Sequence, residues 1–151
     1  TPPHPPLLRS LGQTGTDEGI DFTVKSIQQV KRVTRNQFGG SPPLRARGGG
    51  TLVRAAVDIH NGTQAGADPF CGGTSAHLVD DRGHRYETVD NLFEVTGNDA
   101  ICSGAGTPAG ADASVTLVFR LPRGRSIGAL ELWNGKTDDY DGAKSLVRFI
   151  P

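Results

Sequence analysis

Apolar residues recur at every second position through much of the chain. Ile20, Phe22 and Val24 alternate with polar neighbours, and a second apolar set at Ile27, Val30 and Val33 follows with a spacing that a strand or a helix could use. Val53, Ala55, Val57 and Ile59 give a half-buried strand that stops at Asn61-Gly62, a strong turn dipeptide. Residues 76–79 and 84–88 flank Asp80-Asp81-Arg82-Gly83 and predict a β-hairpin whose glycine takes positive φ. The cleanest alternation, Val115, Leu117, Phe119 and Leu121, is closed by Pro122, and strands over 127–133 and 146–150 complete the set. Long glycine-rich stretches, among them 38–50 and 97–113, separate these runs. About seven short strands without an amphipathic helix predict an all-β, antiparallel β-sandwich. Its predicted core is Phe22, Val24, Val57, Ile59, Leu78, Tyr86, Val115 or its alternate face, Leu117, Phe119, Leu132 and Val147.

Composition refines the division of the chain. Four prolines fall within the first six residues, and Gly12 and Gly15 follow, so residues 1–19 read as a Pro/Gly-rich linker and 20–151 as the folded domain. No methionine is present among 151 residues, which suggests a processed protein or a piece of a longer one, with a membrane tether upstream of residue 1 as one expectation. No run approaches the roughly 18 apolar residues of a membrane span. Arg outnumbers Lys twelve to four and Gly and Ala are abundant, which suggests a GC-rich genome, with an actinobacterial source as the expectation.

Cys71 and Cys102 are the only cysteines, and each lies in a glycine-rich loop. A disulfide between them would close about 32 residues and stabilise by roughly 3–4 kcal/mol in the chain-entropy model. It would also place the protein outside the cytoplasm, secreted or anchored at the cell surface. Zinc ligation by these cysteines with His77 and His84 is disfavoured, because no close ligand pairs sit on tight turns.

Other motifs are incomplete. Gly135-Lys136-Thr137 lacks the earlier glycine of a phosphate loop, since Leu130 stands there. Ser75 precedes a strand and lacks the final glycine of a nucleophile elbow. Asp138, Asp139 and Asp141 suggest a calcium loop, but Arg148 occupies the position of the bidentate glutamate. Asn61-Gly62-Thr63 is formally a glycosylation sequon. No catalytic residue, resident metal or cofactor is therefore expected. The competing expectation is an extracytoplasmic enzyme or accessory subunit with a loop-built site from His77, Asp80, His84 and Asp139.

The segments 57–62, 78–86 (LVDDRGHRY), 115–122 (VTLVFRLP) and Leu130-Glu131-Leu132 together resemble the bacterial immunoglobulin-like domain family of unknown function found in lipoproteins and secreted proteins. The resemblance covers about residues 20–150. Such domains carry a strand ending in an Asn turn, a Leu-x-Asp-x-x-Gly-x-x-Tyr hairpin and an x-Phe-x-x-Pro strand. The chain departs from them at 108–112, where Pro-Ala-Gly-Ala-Asp replaces a Leu-x-Pro-Gly step. The family is associated with no catalytic constellation, so the resemblance implies a binding or structural role and carries over no site residues.

Sixteen basic residues balance sixteen acidic ones, yet their distribution is uneven. Between Asp21 and Asp58 there are seven bases and no acid, while residues 58–112 hold nine acids against Arg82 and Arg85. Strand pairing would neutralise these segments against each other; otherwise Arg32, Arg35, Arg45 and Arg47 form a basic patch for a protein or an anionic cell-envelope component. Nucleic acid is a poor partner, because Phe38 is the only aromatic in the strip. The sequence thus points to an extracytoplasmic interaction module without catalytic activity and leaves its oligomeric state open.

Overall fold

The structure is a computed structural model that describes residues 5–35, 42–72, 75–104, 106–135 and 145–151. Its strands are β1 (Leu7–Ser10), β2 (Thr14–Asp17), β3 (Ile20–Val30), β4 (Arg32–Val33), β5 (Leu44–Arg45), β6 (Thr51–Asn61), β7 (Ala76–Asp80), β8 (Arg85–Tyr86), β9 (Asp112–Leu121), β10 (Ile127–Leu132) and β11 (Val147–Ile150). A 3₁₀ turn at Leu92–Glu94 is the only helical element among the described residues, and none is long and apolar enough to cross a membrane.

The expected β-sandwich is present. One sheet has the order β1-β11-β10-β7-β8, the other β2-β3-β6-β9, and β4-β5 form a separate ribbon. Every strand pair is antiparallel except β1 with β11. Alternation places Phe22, Val24, Val57, Ile59, Leu117 and Phe119 on the inner face of one sheet, opposite Leu78, Leu130, Leu132, Val147 and Phe149 of the other. All predicted core residues are buried except Tyr86, which packs half-buried against the core while its hydroxyl reaches Asp80.

The structure corrects two expectations and settles one alternative. First, residues 7–10 and 14–17 are strands rather than linker, and β1 and β2 join opposite sheets. Periodicity concealed β2 because its buried positions are Gly15 and Asp17 rather than apolar residues. A Cβ on Gly15 would overlap Val147 Cγ1, so glycine allows β2 to lie against β11. Asp17 accepts hydrogen bonds from the Asn134 N–H at 2.7 Å and from the Ser145 hydroxyl, fastening β2 to the ends of β10 and β11. Second, the glycine-rich stretch 38–50 contains β5, which pairs with β4; this and the two N-terminal strands raise the count above seven. The segment after Val24, whose spacing suits a strand or a helix, is strand as far as Val30. Its apolar phase changes because the register against β6 shifts between Val24 and Ser26.

The hairpin at 80–86 shows how its motif works. Gly83 has φ 83°, and its N–H donates to the Asp80 carbonyl. Asp80 Oδ1 accepts the N–H groups of Arg82 and His84 at 2.8 and 2.9 Å, while Tyr86 Oη donates to Oδ2 at 2.7 Å. Burial would raise the carboxyl pKa, but these bonds and nearby His84 outweigh it and hold Asp80 well below the carboxylate range. Asn61 does similar work: buried, it donates to the carbonyls of Ala65 and Thr107 and accepts from the Thr63 N–H and hydroxyl. The sequon asparagine is therefore a loop anchor closed to a glycan in the folded chain.

Candidate binding groove

Tyr86 ends β8 in one sheet, and within two residues the chain crosses to the other. Thr88 forms a β-bridge with Phe119, and the Val89 N–H donates to the Val118 carbonyl on edge strand β9. Further on, Arg35 bridges Val95 beyond β4, and Thr34 Oγ1 donates to Thr96 Oγ1 at 3.0 Å. Asn98 fixes this segment from beneath, donating to the carbonyls of Leu92 and Thr116 and accepting the Thr116 N–H. Between the β4-β5 ribbon, residues 85–91 and the end of β9 these contacts leave a groove of about 590 Å³.

Four arginines line it: Arg35, Arg47, Arg85 and Arg120. Two are committed within the fold. Arg35 lies 3.5 Å from Glu94 and donates through Nε to the Pro42 carbonyl, while Arg85 Nε donates to Glu131 at 3.0 Å. The Glu131 side chain is fully buried and is also gripped by Arg148 at 2.7 Å, so the β8-β10-β11 cross-links are charge-assisted bonds to one carboxylate. The other two have no carboxylate partner among the described residues. Arg120 donates to the Arg45 carbonyl at 2.8 Å, and burial together with the Arg47 charge lowers its pKa. Arg47 is exposed.

Of the four arginines expected to form a patch, the groove collects Arg35 and Arg47. Arg32 and Arg45 instead stand directly opposite each other on the β4-β5 ribbon, an unfavourable like-charge pair beside the groove. Arg85 and Arg120 were missed because they lie on strands remote in sequence from residues 32–47. The pairing Lys25–Asp58, at 3.4 Å between β3 and β6, shows that strand packing also cancels part of the charge segregation.

Of the loop-built catalytic alternative, the described residues bring together Asp80 and His84 alone, with His84 Nδ1 3.4 Å from Asp80 Oδ2 across the hairpin turn. His77 points to the opposite face of β7 from Asp80, and Asp80 is already bonded by the turn and by Tyr86, while His84 is exposed. His77 packs its ring edge-on against Trp133 at 5.0 Å, and burial lowers its pKa against the pull of Glu131 and Glu87. Trp133 is buried with Leu146 apart from the main core. Ser75 is buried. Asp138, Asp139 and Asp141 lie outside the described residues.

Two further clusters are internally bonded. On the outer face of the four-stranded sheet, Ser114 donates to Asp58 at 2.7 Å and His60 Nδ1 lies 2.5 Å from Asp112, so serine and histidine serve separate carboxylates and make no triad. In the loops, Cys71 and Cys102 form the expected disulfide, and Asp68 accepts the Cys102 N–H at 2.7 Å. Burial raises the Asp68 pKa despite this bond and one from Cys71. With both sulfurs joined, this trio offers no thiolate to a metal.

No family model and no curated protein matches the chain. Solved structures do. MPT63, a secreted protein from Mycobacterium tuberculosis, is 15% identical, with 97% of this chain and 98% of that one covered at a TM-score of 0.61. An uncharacterized β-sandwich protein from Clostridium difficile is 14% identical, covering 95% and 94% at 0.60. The yjhA protein from Bacillus subtilis is 15% identical, covering 93% and 98% at 0.56. At such identity the likeness shows the fold: a β-sandwich shared over nearly the whole chain with uncharacterized or secreted bacterial proteins, none bearing an enzymatic name.

Proposed function

We propose that the protein is an extracytoplasmic binding module, secreted or membrane-tethered and without catalytic activity, whose groove holds an anionic group of a cell-envelope component. The observation that carries this is the pair Arg47 and Arg120, which face one groove without a carboxylate partner among the described residues. An anion there relieves their mutual repulsion and, beside the groove, that of Arg32 and Arg45. The disulfide suits an oxidising compartment, and a secreted structural neighbour agrees with it. The one aromatic residue lining the groove among the described residues, Tyr86, has its hydroxyl on Asp80, and a single such ring is a poor stacking platform for nucleic acid.

Retention on a phosphocellulose column tests the proposal. The wild type is expected to be held at low salt and released as salt rises, since exposed charges are screened beyond about 8 Å at physiological ionic strength. Arg45→Ala/Arg47→Ala should elute markedly earlier. Flow-through of the wild type at low salt, or identical elution of both proteins, overturns the assignment.

A further inference from the structure

The arginines are not the only charges in the groove. Glu87 and Asp90 line it as well, and both are exposed. Among the described residues neither carboxylate accepts a hydrogen bond or joins an ion pair, although Arg35 and Arg85 in the same groove have each found an acid, Glu94 and Glu131. Two positive and two negative side chains thus share one concavity without neutralising each other. Residues 87–91 also form the wall of a second recess of about 520 Å³, lined by Phe70, Leu92, Phe93, Ile101 and the disulfide, so Glu87 and Asp90 sit where two depressions meet.

A purely anionic ligand would gain from Arg47 and Arg120 but be repelled by Glu87 and Asp90. A purely cationic one would meet the reverse. Only a group carrying both charges complements the whole lining, because complementarity of potential selects partners through what it repels as well as what it attracts. Guanidinium groups match the oxygens of phosphate, and carboxylates match the donors of an ammonium. Building on the anion-binding reading above, we infer that the groove recognises an aminoalkyl phosphate group, its phosphate on Arg47 and Arg120 and its ammonium on Glu87 and Asp90. Such a group is carried by zwitterionic lipid headgroups and by amine-decorated phosphate polymers alike. The volume of the groove is that of a small-molecule site.

Titration of the isotope-labelled protein, followed by amide chemical shifts at low salt, tests this with 2-aminoethyl phosphate, ethyl phosphate and ethylamine as probes. The aminoalkyl phosphate should bind about fivefold to tenfold more tightly than ethyl phosphate, the return expected from two exposed ion pairs. Glu87→Gln/Asp90→Asn should erase that preference and improve ethyl phosphate affinity by removing the repulsion, whereas Arg47→Ala should weaken both phosphates. Equal affinity of the two phosphates for the wild type, or a preference that survives Glu87→Gln/Asp90→Asn, overturns the zwitterion and leaves the anion site standing. Absence of shifts with either phosphate overturns both. Where the preference is found, sedimentation with phosphatidylethanolamine vesicles separates the sources: co-sedimentation supports the inference with a lipid headgroup, and its absence supports it with a soluble or polymeric carrier.

Discussion

Single side chains hold the turns and crossings on which the sandwich depends, and Asp80 shows the consequence for pH. Its folded pKa lies below the ordinary carboxylate value near 3.9, so the stability it contributes is present above that value and is lost as pH falls through the folded one. The wild-type melting temperature should therefore fall on acidification below about pH 4. Tyr86→Phe removes one donor to the carboxylate, so this variant should melt lower at neutral pH and show a shallower acid decline. Parallel curves for the two proteins would show that the hydroxyl does not set the Asp80 charge. Gly15 makes a steric prediction of the same kind. Its absent Cβ leaves room for Val147, and Gly15→Ala should cost about 1–3 kcal/mol in denaturant unfolding, as overpacking does. In a Val147→Ala background much of that cost should vanish, and an undiminished cost would place the strain elsewhere.

At the scale of elements, the N-terminal segment and the disulfide are the two devices that close the sandwich. Deletion of residues 1–19 removes β1 from the edge of one sheet, β2 from the edge of the other, and with them the Asp17 fastening to Asn134 and Ser145. A linker could be cut away without effect; here the melting temperature should fall by several degrees or cooperative unfolding should be lost. Thiol titration of the denatured, unreduced chain should find no free cysteine, and reduction should lower stability by about 3–4 kcal/mol. Two reactive thiols would remove this brace. These elements differ in how openly the chain declares them. Strands β3, β6 and β9 bury one face on the core, which writes a period of two in Ile20–Val24, Val53–Ile59 and Val115–Leu121. In β2 glycine and aspartate fill the inward positions, and β4 and β5 are only two residues each, too short for any period. Arg35 and Arg47 stood out by charge in an acid-free stretch. Arg85, Arg120, Glu87 and Asp90 join them only through the crossing from β8 to β9, a relation of topology that local pattern does not encode.

The whole molecule has zero formal charge, but folding leaves that balance uneven in space: buried Glu131 is matched by Arg85 and Arg148, and Asp58 by Lys25, while among the described residues the groove keeps charges of both signs that form no ion pair. The chain's order is just as unevenly distributed, because its first strand pairs with its last. Leu7–Ser10 of β1 lies in parallel register with Val147–Ile150 of β11, and β11 supplies buried Val147 and Phe149 to the core and Arg148 to Glu131. The five-stranded sheet is therefore incomplete until β11 is available. Long ladders also join strands distant in sequence, such as β6 with β9 and β7 with β10. Loop-closure entropy opposes each of these pairings before burial rewards it, so refolding should take milliseconds to seconds, as in other sandwiches. Trp133, the only tryptophan, is buried with Leu146 just before β11, and its fluorescence reports the closing of that region. In stopped-flow refolding with the disulfide intact, the tryptophan signal and far-ultraviolet circular dichroism should recover together in one phase. Recovery in microseconds, or a tryptophan signal that is complete while strand signal is still absent, would mean that local structure around Trp133 forms without the pairing of the two chain ends.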